Sequence, residues 1–310
     1  MNKTMFSGIS APQLTPFYDD GGVNYEEYTR LTRFLIDGGI DGIFVCGTTG
    51  EFVNLTIEER KGLLLAAKKG AGDKCKILYN ITAMNLKDID ELICWAKENK
   101  VNAVSITPPY YHKYDSIALT DYFVKVSAMA APLPVYLYNI PSMALNAISP
   151  AVLEAVHGSC ENVRGIKDSS MDFMTFLKYQ MAVPDENFEV LTGNDAQVLT
   201  ALQAGGSGAV IAMAGVFPKL CKSIYDSYQH GDITGARKVQ DTVLKLRELV
   251  RGTIPVVAHK EMLKMQGFHM GKSRFPLREL TEKEREHIHL VLKKLSLEGG
   301  ESKYEIQNYG

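Results

Sequence analysis

Apolar residues in this chain gather into short runs rich in β-branched and aromatic side chains. After each run comes a longer stretch in which apolar positions return every three or four residues. The short runs are ISAPQLTPF from Ile9, GIFVCG from Gly42, KILYNIT from Lys76 and AVSITPP from Ala103, then PVYLYNIP from Pro134, VRGIKDS from Val163, FEVLTGND from Phe188 and GAVIAM from Gly208. The spacing predicts eight strands. Between them lie amphipathic stretches such as NYEEYTRLTRFLIDGG, TIEERKGLLLAAKKGAG and LKDIDELICWAKENK. Thr56 followed three residues later by Glu59 is a capping-box signature for the second of these helices.

Eight strands alternating with helices, at a spacing of roughly 20 to 30 residues, suit a closed parallel (β/α)8 TIM barrel better than an open doubly wound sheet. An open sheet of that kind more often carries GxGxxG after its first strand, and this chain has none. Beyond the eighth strand the pattern stays helical, through KLCKSIYDSYQHGDITGARKVQDTVLKLRELVRG and TEKEREHIHLVLKKL. The expected organisation is a barrel over 1–230, a C-terminal helical extension packed on it over 231–297, and a frayed polar tail over 298–310.

Composition narrows the function. A chain of 310 residues with 45% hydrophobic and 23% charged residues is expected to be globular. A formal net charge of -2 without a basic run argues against a nucleic-acid or anionic-membrane partner. Five cysteines, an odd number without a CxxC pair, suggest a reducing cytoplasm rather than a disulfide framework or zinc knuckle. No stretch reads as a signal peptide or membrane span. His287 and His289 stand two apart on a predicted helix and do not share a face. The GKS of Gly271–Ser273 lacks the upstream glycine of a phosphate-binding loop and reads as a turn. Neither metal nor organic cofactor is expected.

Lys167 is the residue that breaks the pattern, because it sits inside an otherwise apolar strand. In a barrel, side chains alternate between lumen and helix layer, and the C-terminal strand ends carry the chemistry. Burial of an ammonium in an apolar lumen favours the neutral amine, which attacks carbonyl carbon and suits imine formation with an oxo acid. A rim lysine, ion-paired or reaching solvent, is the competing reading. Tyr138, at the end of the neighbouring fifth strand, can stand above Lys167 and relay protons, or it can simply pack. The GTTGE of Gly47–Glu51 closes strand two, where its glycines and the Thr48 and Thr49 hydroxyls form a nest for a carboxylate, or a plain tight turn.

Together, GTTGE after strand two, TPPYY after strand four, YNIP after strand five and GIKDSS on strand six resemble the dihydrodipicolinate synthase and N-acetylneuraminate lyase family of Schiff-base aldolases. The likeness runs from about Phe6 to Leu295. It implies that Lys167 forms an imine with pyruvate or a 2-oxo acid, that Tyr138 relays protons, and that Thr48 links Tyr138 to a second tyrosine. That tyrosine, supplied across a subunit interface, best matches Tyr111, with Tyr110 the weaker match; a dimer of dimers, a homotetramer, is implied. Thr49 and Gly50 match the carboxylate cradle, Gly193 and Asp195 match contacts to the distal part of the substrate, and Val210 matches a pocket-lining carbonyl. For Asp195 the competing role is helix N-capping. His112 is a further candidate for touching substrate.

Within the family, synthases typically carry an arginine where this chain has Met143, and a thioether cannot grip a carboxylate; Arg164 is a candidate substitute. Sialic acid lyases usually have serine at the position of Thr48 and an acidic residue at that of Ala196. The expected activity is therefore cleavage or formation of a 2-keto-3-deoxy sugar acid, or a related 4-hydroxy-2-oxo acid, from pyruvate and a small aldehyde. The alternatives are dihydrodipicolinate synthase, N-acetylneuraminate lyase, or a catalytically silent sensor of an oxo acid.

Overall fold

The computed structural model describes residues 4–298, so the expected tail lies, apart from residue 298, outside the described residues. All eight expected strands form: β1 (Gly8–Pro12), β2 (Gly42–Val45), β3 (Lys76–Asn80), β4 (Ala103–Ile106), β5 (Val135–Asn139), β6 (Val163–Asp168), β7 (Glu189–Thr192) and β8 (Gly208–Val210). Each pairs in parallel with the next, and β8 returns to β1 through Gly8 opposite Gly208, which closes the barrel. The fold is a (β/α)8 TIM barrel with a C-terminal helical extension.

The helices follow in order as α1 (Tyr25–Asp37), α2 (Ile57–Ala71), α3 (Leu86–Glu98), α4 (Ser116–Ala130), the single turn α5 (Pro141–Ala144), α6 (Pro150–Ser159), α7 (Phe173–Ala182), α8 (Val198–Gln203) and α9 (Pro218–Gln229). The extension adds α10 (Ile233–Val250), α11 (Pro255–Lys264) and α12 (Glu282–Glu298). The capping box at α2 forms as its sequence signals, with Glu59 N–H donating to Thr56 Oγ1 at 3.2 Å and Thr56 N–H donating to Glu59 Oε2 at 2.9 Å. A break at Gly231, in the left-handed region at φ +78°, splits the long helical stretch after β8 into α9 and α10. Among the described residues no helix is long and apolar enough to cross a membrane.

Two apolar cores result from the alternation of strand side chains. Ile9, Ile43, Val104, Leu137 and Ile166 face the helices, whereas Phe44, Leu78, Tyr136, Tyr138, Leu191 and Val210 fill the lumen. A bulge decides which side Lys167 takes. Val135 pairs with Val163 but Tyr136 pairs with Gly165, so Arg164 is one extra residue on β6. That insertion puts Gly165 and Lys167 in phase with Tyr136 and Tyr138, facing inward. Gly165 is required there, since a Cβ would lie 2.5 Å from the Tyr136 ring. The floor of the lumen is closed by the buried Glu189, which accepts hydrogen bonds from Tyr136 Oη and, at 2.7 Å, from Phe6 N–H.

Candidate active site

Lys167 is 4% exposed and stands level with Tyr138 on β5 and Leu191 on β7. Its Nζ lies 4.0 Å from the centroid of the Tyr138 ring and 4.7 Å from that of Phe44. The ammonium position is thus walled by two aromatic faces inside the lumen, as a cation–π arrangement favours. The rim reading of this lysine is thereby excluded. Phe44 carried no signal in the sequence beyond being an apolar residue of β2.

Tyr138 is buried beside it, and its Oη lies 3.5 Å from Thr48 Oγ1, a long contact between hydroxyls. Burial pushes the phenol up, but the charge of Lys167 and hydrogen bonds with Thr48, Lys167 and Ser169 outweigh it and hold Tyr138 below the ordinary tyrosine value. A phenol tuned in that direction gives up its proton more readily, as a relay requires. Ser169, on the loop after β6, is a member of this group that the sequence did not single out.

Gly193 explains itself by proximity. Its N–H donates to Asp168 O at 2.7 Å, and a Cβ at this position would stand 1.9 Å from Ser169 Oγ and 2.9 Å from Lys167 Cε. The position leaves room for the lysine side chain. Val210 is buried on the lumen face of β8.

The Thr48–Gly50 turn forms one 3₁₀ turn after β2 and is packed beside β1; just beyond that strand, Thr15 Oγ1 donates to Gly50 O at 2.7 Å. Glu51 ends the turn in the left-handed region at φ +58°. Upstream, Cys46 is also left-handed at φ +56°, and its carbonyl accepts from Asn80 Nδ2 at 2.7 Å. Arg60 of α2 in turn donates to Asn80 O at 2.6 Å and Thr82 O at 2.8 Å. The loop is therefore held from the segment after β1, from β3 and from α2 together.

Two of the alternatives raised by the sequence fall away. Asp195 does not cap the following turn; Asn194 does, accepting from Ala196 N–H at 3.1 Å. The buried Asp195 carboxylate instead accepts from Met213 N–H at 2.8 Å, tying the end of β7 to the turn after β8. Burial, partly offset by that hydrogen bond and by Arg247 and Lys167, raises its pKa. Arg164 is exposed at the N-terminal end of β6, three residues below Lys167, so it cannot stand in for an arginine at the mouth. Met143, in α5 beside the mouth, is 65% exposed.

Tyr111 is 77% exposed, left-handed at φ +84°, with its ring edge-on to His112 at 5.1 Å. Its neighbour Tyr110 instead packs on the lumen cluster. Asn146 fixes this segment from the loop after α5, donating to Pro109 O and His112 O at 2.7 Å and accepting from Tyr114 N–H at 2.9 Å. His289 lies within the extension, its Nε2 2.8 Å from Glu261 Oε1. No group of three potential metal ligands occurs among the described residues.

A buried amine at the C-terminal end of β6, with a phenol and a hydroxyl beside it, can add to a ketone and move protons around the adduct. Comparisons with known proteins agree with that chemistry. The model of the dihydrodipicolinate synthetase family matches residues 5–295. The 4-hydroxy-tetrahydrodipicolinate synthase of Acetivibrio thermocellus is 29% identical over 297 residues, which cover 96% of this chain and all of that one. The enzyme of that name from Clostridium perfringens is 32% identical over 279 residues, 90% of this chain and 94% of the relative. YagE, a prophage protein of the dihydrodipicolinic acid synthase family from E. coli K12, crystallised in complex with pyruvate, superposes with a TM-score of 0.90. It is 28% identical, over 95% of this chain and 100% of YagE. The chain belongs to the dihydrodipicolinate synthetase family and is a pyruvate-dependent carbon–carbon lyase of the aldolase class that works through a lysine imine.

Proposed function

We propose that Lys167 is the imine-forming residue and that the enzyme cleaves or forms a 2-keto-3-deoxy sugar acid, or a related 4-hydroxy-2-oxo acid. The observation that carries the first half is the Lys167 amine enclosed in the lumen with its Nζ 4.0 Å from the Tyr138 ring. In its unprotonated form the amine adds to C2 of the oxo acid, and the Thr48–Gly50 turn, with Thr49, holds the carboxylate. Loss of water leaves a protonated imine. That cation is an electron sink: as Tyr138 takes the proton of the C4 hydroxyl, the C3–C4 bond breaks and its electrons form the enamine of pyruvate. The aldehyde leaves, C3 is protonated, and hydrolysis returns pyruvate and the amine. Thr48 links Tyr138 to Tyr111 of a neighbouring subunit in a homotetramer built from two dimers. Gly193, Asp195 and Val210 border the distal part of the substrate.

Met143 supports the second half, since the thioether at this mouth position cannot pair with the carboxylate of aspartate semialdehyde. The relatives' name favours a second reading, 4-hydroxy-tetrahydrodipicolinate synthase. A panel of 2-keto-3-deoxygluconate, 4-hydroxy-2-oxoglutarate, N-acetylneuraminate, and pyruvate with aspartate semialdehyde, read by pyruvate released or consumed, separates the two. The expected result is cleavage of the first or second compound. Preferred turnover of aspartate semialdehyde overturns the sugar-acid reading. Borohydride reduction in the presence of pyruvate is expected to add mass at Lys167 and none to Lys167→Ala.

A further inference from the structure

Glu51 carries a job that the chemistry above does not use. It is the last residue of the GTTGE loop, its side chain is buried, and its backbone N–H donates to Thr48 O at 3.1 Å. The partners of its carboxylate come from the far end of the chain. Lys260 Nζ of α11 lies 2.5 Å from Oε1, Ser273 Oγ donates to Oε1 at 3.0 Å, and Arg274 N–H donates to Oε2 at 3.3 Å.

Both members of the Lys260–Glu51 pair are buried, with side chains 2% and 1% exposed. Lys260 Nζ also faces the Phe17 ring, 4.3 Å from its centroid. Burial pulls Lys260 down to about 8 against the attraction of Glu51, with Lys264 and Arg274 adding repulsion. Such a pair contributes little net stability, because desolvation consumes the Coulomb gain; a well-packed apolar pair would often do as well. What it does supply is one defined geometry. Here that geometry belongs to a loop whose final residue has a left-handed backbone without being glycine.

The turn of Gly271–Ser273 is shaped for the same purpose. Gly271 has φ +62°, and a Cβ there would stand 2.0 Å from Phe17 O. Arg274 then reaches back over the barrel mouth's outer wall, donating to Gly21 O at 2.8 Å, Asn54 O at 2.7 Å and Glu59 Oε2 at 2.8 Å. The extension thus clasps the residues that follow the Thr48–Gly50 turn, Glu51, Asn54 and Glu59, together with Gly21.

We propose that Lys260 is a positioning residue for the oxo-acid carboxylate: it acts through Glu51, so that the C-terminal extension sets the shape of the Thr48–Gly50 cradle. This rests on the assignment of that turn as the carboxylate site, and the test distinguishes the two. The readout is the pyruvate concentration that half-saturates borohydride trapping at Lys167, measured by intact mass, together with the trapping rate at saturation.

Lys260→Met is expected to raise the half-saturating concentration by about ten-fold while the rate at saturation stays within about two-fold, the signature of lost ground-state binding. Glu51→Gln is expected to do the same, and the double variant to be no worse than either single one, since both remove one interaction. Ser273→Ala, a milder change, shifts the value in the same direction by roughly two-fold. Leu292→Ala loosens the extension elsewhere and is expected to leave it unchanged. Equal half-saturation in wild type and Lys260→Met, additive effects of the two single changes, or an equal shift in Leu292→Ala overturns the proposal while the imine assignment stands. Absence of trapping in the wild type overturns the site assignment itself, and this proposal with it.

Discussion

Lys167 has an inward orientation only because of its neighbours. The residues before it supply an extra position on β6 at Arg164, and Gly165 makes room for Tyr136. The residue opposite the lysine's stem is Gly193, and the smallest enlargement there tests how tightly the amine is placed. Gly193→Ala is expected to push Lys167 Cε or Ser169 aside and to lower kcat by about 10- to 100-fold, because displacements near 1 Å are costly to a reacting geometry. Gly158→Ala, at a position with nothing within 4 Å of a new Cβ in α6, is expected to keep kcat and to raise stability by roughly 0.5–1 kcal/mol. Steady-state kinetics and thermal melts of the two variants check the contrast. The lysine and the Tyr138 ring beside it were legible from their strands; the second aromatic wall, Phe44, and Ser169 were not, since a phenylalanine on an apolar strand looks the same whichever side it faces.

At the scale of elements, α11 joins the mouth loop to the extension, and its titration behaviour differs from that of the barrel. His259, next to Lys260 in this helix, is buried and neither ring nitrogen has a hydrogen-bond partner. Burial pulls it down to about 4 from an ordinary 6.5. Between those values the unfolded chain binds a proton that the folded chain refuses, so stability falls as pH drops from 6.5 toward 4, by on the order of 2–3 kcal/mol. The buried carboxyls Asp195 and Glu189, both raised by burial, act in the opposite sense over the acid range. Comparing wild type with His259→Leu isolates the histidine. The variant is expected to lose less thermal stability between pH 7 and pH 4.5, and an identical loss would contradict the assignment. None of this was visible in the sequence, where His259 is one histidine in a helical stretch.

For the whole molecule, the residue that ties the site to assembly is Tyr111, and a mixture of variants tests that role. It stands 77% exposed on a left-handed backbone held by Asn146, while Tyr138 and Thr48 wait inside the barrel. If a neighbouring subunit receives this ring, two inactive variants should repair one another. Tyr111→Phe subunits lack the donated phenol, and Lys167→Ala subunits lack the amine. In a mixed dimer one of the two sites combines an intact Lys167 with an intact Tyr111. Unfolding and refolding an equimolar mixture is expected to recover about a quarter of wild-type activity, from random pairing of subunits. Recovery no greater than the sum of the separate variants would place Tyr111 outside its neighbour's site.

By itself the sequence determined the eight strands, their parallel closure, the capping box of α2 and the lumen lysine beside a phenol. These follow from local periodicity and from strand order, both of which act over a few residues or between consecutive elements. It also signalled the family, through four motifs at the strand ends. Tertiary structure decided the rest: that Asn194 rather than Asp195 caps, that Arg164 lies at the wrong end of β6, and that Glu51 is clasped from Lys260 and the turn at Gly271–Ser273. The last of these depends on groups that meet across more than two hundred positions of chain, and all three on how burial and the path of the backbone settle each charge and hydrogen bond. No spacing along the sequence encodes such a meeting; packing alone does.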